Sequence, residues 1–483
     1  MIEKDDSIFE NSITEKLADN IHDDNDAIKI NPWKKPISNI TWGFILSTIT
    51  LNFMWLQYIL PTIGAVLIFV GFRFLRKENK YFSLAYVSSI VVMFMRVVYL
   101  IFVSTPLITE IQNGTIIALL TVGLQLIVII TFRLAIKNVF IRIESSMPYD
   151  PLLLAALWVL FAAILASSPF SNSWLAFIPL LLFYIHIIRS LYLLGDDLGD
   201  IGYCFTDTTV KLSNSVVIRG YLLMCFLLVL ICGAVASHSV PDFTELKPGT
   251  ALDTQNKLLD LGVPKQILID MSDENISVLQ NAINVDVYTD LLMFDGIRET
   301  VEVDTNIYEE RIKPKDQTIE ATTVYTELPG NEVYVLVYFK WQKPKAFWND
   351  GFTIWGQEGI ELLDGKLIFH KDNINYVAPI PRLNNDFITS ISMFGASQSR
   401  QITGGVCYPF GSENQRGYIF YRLSLSEENG IVANCINYLH SSSPVTLPYI
   451  HTEQKILSGQ SEYKQHYTTY DLKKYQNMQN LLR

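Results

Sequence analysis

The chain has 483 residues, 49% of them hydrophobic and 18% charged, with a formal net charge of −11. That length holds two or three domains at about 100–200 residues each. Residues 240–483 carry 21 Lys and Arg against 31 Asp and Glu, so no surplus of cations exists to displace phosphate counterions, and nucleic acid is excluded as a partner.

The first 31 residues are acidic and polar, the reverse of a basic region leading into an apolar one, so no cleavable signal peptide is expected. Residues 1–36 read as an acidic cytoplasmic tail, mostly without fixed structure. Long apolar runs then fill residues 37–238. A spanning helix needs about 20 mainly apolar residues to cross roughly 30 Å of hydrocarbon. The run Ile37–Leu75 has 39 residues, room for two such helices, and Pro61 marks the predicted break because proline disrupts a helix interior. The predicted spans are 38–57, 60–76, 81–103, 114–136, 151–168, 173–194 and 216–237, a bundle of about seven transmembrane helices.

Lys and Arg in the short loops set the orientation. Lys34 and Lys35 precede the first span, and Arg73, Arg76, Lys77 and Lys80 lie between the second and third. Arg133, Lys137 and Arg142 flank the loop after the fourth span, and Arg189, Lys211 and Arg219 flank the loop after the sixth. The alternate loops, around 57–61, 104–114 and 167–172, have neither residue. The pattern predicts an internal amino terminus and, with an odd span count, an external location for residues 239–483. A re-entrant first pair of helices would reverse that parity, but the cluster Arg73–Lys80 argues against it.

Arg96, in VVMFMRVVYL, lies well past the middle of the third span. A cation at that depth is costly and marks a polar site by default. Glu110 in the next loop and Gln125 in the fourth span are its expected partners, with outward snorkelling as the plainer alternative. Gln125 and His186 are single polar groups suited to interhelical hydrogen bonds. Asp196, Asp197 and Asp200 have oxygens that suit a hard cation, yet no further ligands stand at defined spacing, and solvated helix-end acids explain them as well. No metal site and no cofactor is expected. The zinc motif HExxH, the phosphate-binding loop, GxGxxG after a strand and the nucleophile elbow GxSxG are all missing from the sequence.

Residues 239–284 form a predicted helical lead-in. Asp253 is placed as an N-cap with Gly262 as a stop, Pro264 opens a second short helix, and Ser272 opens a third. Residues 285–451 change texture to short runs rich in β-branched and aromatic residues, such as VDVYTDLLMF, IEATTVYTEL, EVYVLVYFKW and GYIFYRLSL. Turn signals including Pro329-Gly330, Asp350-Gly351 and Asn429-Gly430 separate them. The expected fold is a mainly antiparallel external β domain, sandwich-like or jelly-roll-like. Trp341, Trp348 and Trp355 are candidate binding residues, since exposed aromatics stack on sugars or anchor proteins; core or membrane-interface placement is the alternative. Cys407 and Cys435 both fall outside, where a disulfide can persist, and are a possible pair. Residues 452–483 read as a polar tail, either an amphipathic helix or a mobile segment.

The functional expectation is a multi-pass sensor or regulatory protein of the cell membrane. Its external domain would bind an envelope ligand or protein and signal to a cytosolic partner. The alternatives are an accessory or structural subunit of a membrane complex, and a membrane enzyme or transporter with a polar intramembrane site. The lipid bilayer and a protein, cytosolic or envelope, are the expected partners.

Overall fold

The computed structural model describes residues 31–471, less 49–52, 111–113, 169–173, 206–209, 344–348, 356–359, 424–430, 442–444, 460–462 and scattered single or paired positions. The chain divides into two compact units. The first comprises Met1–Leu100 with Ile111–Leu227, and the second Ile101–Glu110 with Leu228–Arg483.

Apolar sequence dictates helices in the first part of the chain. They are α1 (Lys34–Thr48), α2 (Leu56–Leu75), α3 (Lys80–Val103), α4 (Leu107–Glu110), α5 (Gly114–Arg142), α6 (Pro151–Ala166), α7 (Trp174–Asp200) and α8 (Asn214–Ala236). Five are long and apolar enough to cross a membrane: α2, α3, α8 and the segments Ile116–Arg142 of α5 and Phe177–Asp200 of α7. The described part of α1 has 15 residues and α6 has 16. At about 1.5 Å per residue each falls short of a hydrocarbon core roughly 30 Å thick. Helix α6 starts cleanly, with Pro151 in its first turn and the Asp150 carboxylate accepting from the Leu153 N–H at 2.9 Å.

Helix α2 is the most enclosed of these five, with 67% of its apolar stretch buried against at most 22% for the other four. Helix α1 lies along it at a distance only glycine permits. A Cβ at Gly64 would stand 2.6 Å from the Gly43 carbonyl oxygen, and one at Gly43 would stand 2.8 Å from that of Gly64. The break between these helices is not at Pro61. It falls ahead of Leu56, where Met54 and Trp55 take left-handed backbone angles, while Pro61 sits inside α2.

The second unit is built on β1 (Thr244–Glu245), β2 (Asn284–Met293), β3 (Ile297–Asp304), β4 (Ile307–Lys313), β5 (Thr318–Leu328), β6 (Glu332–Trp341) and β7 (Asp350–Trp355). It continues with β8 (Ile360–Lys371), β9 (Ile374–Pro379), β10 (Asn384–Ser392), β11 (Gly395–Val406), β12 (Glu413–Leu423), β13 (Ile431–Leu439) and β14 (Lys464–Asp471). One sheet runs β1-β9-β8-β12-β6-β5-β2 and a second β10-β11-β7-β13-β14, with β3 and β4 as a separate hairpin. Every pairing is antiparallel. Tyr325, Val335, Phe339 and Ile419 of the larger sheet meet Ile354, Ile402, Ile436 and Tyr438 of the smaller in one core.

The lead-in helices α9 (Leu252–Asp260), α10 (Lys265–Asp270) and α11 (Asp273–Val278) form a third layer. Leu258, Ile267, Leu268 and Ile276 pack on Val324, Leu336, Tyr338 and Phe420, the other face of the larger sheet. Strands β5, β6 and β12 are therefore covered on both faces, which accounts for apolar runs that barely alternate. Ser272 caps α11 as expected, accepting from the Asn275 N–H at 3.3 Å. Asp253 is not the cap of α9; Ala251 holds that position and Asp253 lies in the first turn. The polar stretch after residue 451 is structured as well. It forms α12 (Thr452–Leu457) and then β14, which pairs with β13. Its alternation explains this, since His466, Thr468 and Tyr470 are buried while Tyr467 between them is exposed.

Candidate functional site

The polar site of the helical unit is Arg96. Its Nη2 donates to the carbonyl oxygens of Gln57 and Tyr58, each at 3.2 Å, and its Nε to Thr62 Oγ1 at 3.4 Å. Thr62 Oγ1 donates in turn to the Tyr58 carbonyl at 2.6 Å. Pro61 makes this site. An α-helix bonds each N–H to the carbonyl four residues back, and proline has no N–H to give, so the Gln57 carbonyl loses its helical donor. Arg96 supplies one from a neighbouring helix, and the Tyr99 ring lies under its guanidinium at 4.9 Å. Tyr221 Oη of α8 donates to the Met93 carbonyl at 3.0 Å, one turn earlier on α3.

Of the expected partners of Arg96, Gln125 lies elsewhere and the Glu110 side chain is not described. Gln125 lines a separate cavity of ≈ 20 Å³ with Thr48, Trp158, Tyr184 and Phe44. That volume suits about one water molecule. The Thr48 and Tyr184 hydroxyls bond to one another there, and Trp158 Nε1 donates to the Leu180 carbonyl at 2.9 Å. Glu110 ends α4, and its side chain lies outside the described residues. His186 is exposed on α7. Asp197 accepts from Tyr149 Oη at 2.8 Å. Among the described residues no group of three or more His, Cys, Asp and Glu could hold a metal ion.

A second polar cluster of the same unit was not foreseen. Glu78, 5% exposed, accepts from Tyr203 Oη at 2.7 Å and from Arg142 at 3.4 Å. Trp33, fully buried, donates from Nε1 to the Tyr203 carbonyl at 2.8 Å, and Asn31 Nδ2 reaches the Gly195 carbonyl at 2.8 Å. The sequence signal was a lone acid inside the basic run RFLRKENK. This cluster ties the entry of α1 to the end of α7, which is a structural duty.

In the β unit the buried charges hold layers together. Asp270 of α10 accepts two bonds from Arg416 of β12, at 2.7 and 2.8 Å, and one from Tyr338 Oη at 2.8 Å. Burial by itself would lower the Arg416 pKa, but its bonds to Asp270 outweigh this and the pKa is raised. Burial, with Asp270 adding, raises that of the Tyr338 hydroxyl. Asp350 at the start of β7 accepts from Tyr438 Oη at 3.1 Å and from the Ser441 N–H at 2.9 Å, and lies 3.0 Å from His440 Nδ1. An acid–imidazole pair is familiar in catalysis, but these side chains are 0% and 9% exposed, so a substrate cannot reach them. They fix the corner after β13.

Of the candidate tryptophans, Trp341 is 2% exposed within the sandwich core, so it is no stacking surface. Its strand is covered on both faces, which places it there. Trp348 lies outside the described residues. Trp355 is 53% exposed on β7, the middle strand of the smaller sheet. Cys407 and Cys435 are free thiols, and the expected bridge between them is corrected by strand register. Cys435 lies opposite Trp355, whereas Cys407 follows Val406, which lies opposite Asp350 at the other end of β7. Five to six residues of strand separate the two, roughly 17–20 Å, far beyond the ~7 Å Cα limit of a disulfide.

No family model matches the chain, and no curated protein matches it. Among solved structures it is similar to the collagen-binding domain of a Staphylococcus aureus adhesin at 12% identity and a TM-score of 0.18, over 29% of this chain and 90% of that one. The collagen-binding subdomain of the Enterococcus faecalis surface protein ACE gives 11% and 0.19, over 30% and 89% of the two chains. AvmM, which catalyzes macrocyclization in alchivemycin A biosynthesis, gives 11% and 0.17, over 30% and 81%. At such TM-scores these likenesses carry no argument about ligand or activity.

Proposed function

We propose that this is a multi-pass sensor or regulatory protein of the cell membrane. Its amino terminus is cytoplasmic, its spans number seven, and its β domain is extracytoplasmic and binds an envelope ligand or protein. The helices pass that state to a cytosolic partner. One observation carries the reading: α3 and α8 each begin in the first unit and end in the second. Within the second unit their last residues are fastened to β-domain segments. The Tyr449 N–H donates to the Val103 carbonyl at 2.7 Å, and Asn349 Nδ2 to that of Ala236 at 3.4 Å. A Cβ at Gly233 would stand 3.1 Å from Val445. A change in the β domain at these segments pulls directly on helices that carry Arg96 and Tyr221.

The test uses photo-crosslinking residues in the intact protein in its native membrane. A probe at Trp355 should capture an envelope component, and a probe at Lys211 a cytosolic protein. Loosening the joint with Asn349→Ala and Gly233→Leu together should abolish the second capture and spare the first. Capture at Trp355 with nothing at Lys211 would instead indicate a docking subunit. Two captures indifferent to the joint would end the sensor reading.

A further inference from the structure

Arg73, in the last turn of α2, is 8% exposed, yet among the described residues no carboxylate pairs with it. Its one described contact is a bond from Nη1 to Asn214 Oδ1 at 3.4 Å, at the far limit of a hydrogen bond. Among the described residues its side chain meets no other hydrogen-bond or charge partner. Removing a guanidinium from water without an anion to meet it costs several kcal/mol, so native buried arginines are nearly always matched. The described residues leave this charge room for a further, anionic partner.

The place where Arg73 points is itself receptive to anions. Asn214 is the first residue of α8, a helix of 23 residues with no acid in its first turn. Helix N-termini carry unsatisfied N–H groups and a partial positive charge. Ser213 satisfies the Val216 N–H with its hydroxyl, though at 3.4 Å. The N–H groups of Asn214 and Ser215 precede the first intrahelical acceptor and meet no acceptor among the described residues. Ser213 and Ser215 are exposed, so a ligand can enter beside the buried guanidinium. Lys211, also exposed, adds to the field.

We propose that Arg73 and the first turn of α8 bind a phosphate group, carried by a phospholipid headgroup or free in solution. A tetrahedral oxyanion fits both elements at once: guanidinium donors from one side and helix N–H groups from the other. Asn214 completes the site as the neutral residue that orients Arg73 without quenching it.

The full-length protein in neutral detergent gives the test, read by native mass spectrometry and by thermal shift. The probes are phosphatidylglycerol, phosphatidylcholine and inorganic phosphate, each added alone and then in competition. One phosphatidylglycerol should be retained in preference to phosphatidylcholine, and Arg73→Gln should weaken it by about tenfold or more. If inorganic phosphate displaces that lipid, the site takes free phosphate too; if it neither binds nor competes, the phosphate belongs to the lipid. Because Arg73→Gln could also disturb folding, the second variant is Asn214→Asp. It supplies an internal carboxylate to Arg73 and cancels the helix field, so it should raise the melting temperature of the lipid-free protein and abolish the lipid-dependent shift. Retention unchanged in both variants, or no preference for either phosphate probe, would overturn the site.

Discussion

Proline at position 61 and arginine at position 96 are each costly inside a membrane, one for the donor it lacks and the other for the charge it brings. Together they offset one another, because the donors of Arg96 reach the carbonyls of Gln57 and Tyr58. The expected outcome is therefore a coupling and not two separate losses. In thermal unfolding of the purified protein, Arg96→Leu should cost less in a Pro61→Ala background, where the restored N–H bonds the Gln57 carbonyl. The coupling should be of order 1 kcal/mol, and strict additivity would show that the pair does not act as a unit. Cys407 makes a second prediction at this scale. Burial, with the Asp350 carboxylate adding, pushes its thiol up to about 12. The thiolate is the reactive form, so Cys407 should resist alkylation in the native protein and react only on denaturation. Rapid labelling of the folded protein would mean that the β7–β11 end opens.

Among the elements, the seam between β2 and β14 is expected to respond to acid. These are edge strands of different sheets, joined by a bond from Asn284 Nδ2 to Tyr470 Oη at 3.3 Å, and the neighbouring β5 adds Tyr325 Oη with Thr468 Oγ1 at 2.8 Å. His466, 2% exposed, sits in this seam with neither ring nitrogen hydrogen-bonded and with Asp290 at 3.8 Å. Burial lowers its pKa, and Asp290 only partly opposes this. A depressed pKa means that the unfolded chain binds the proton first. The contribution to stability is thus whole above the unfolded value of about 6.5 and declines as pH falls from there toward the folded pKa. Melting temperature should drop across that window in the native protein and less so in His466→Phe; equal slopes would remove His466 as the cause. The strands of this unit were legible where composition was distinctive, as in EVYVLVYFKW and GYIFYRLSL. β11, with the sequence GASQSRQITGGV, carries almost no apolar signal and was missed. β14 alternates Thr, His and Tyr, and was read as a polar tail because its buried face meets strands 143 and 186 residues earlier.

For the whole molecule, hydropathy separated an apolar helical part from a β part, since each needs a different composition. It did not fix the number of spans. Five helices meet the length of a bilayer, and the close α1–α2 pair was split in the wrong place because Pro61 was read without the arginine that accommodates it. The depth of Arg96 marked it as a buried cation in need of acceptors. Its partners were not legible, because backbone carbonyls leave no mark in a sequence. Orientation is open to direct measurement. A cysteine near Gly459 should react with an impermeant reagent in intact cells or spheroplasts, and one near Ser7 should not. Label at both ends, or only near Ser7, would reverse or refute the seven-span arrangement.

The pairing of Pro61 with Arg96 also bears on how the protein is made. Helix α2 is synthesised first and would enter lipid with the Gln57 carbonyl exposed; α3 follows with a bare guanidinium. Neither segment is a good passenger alone, yet the two together present the insertion machinery with a satisfied pair. They should therefore leave for the bilayer as one unit. In a glycosylation reporter of membrane insertion, residues 80–103 placed alone should integrate less completely than they do when residues 56–79 precede them, and Arg96→Leu should erase most of that difference.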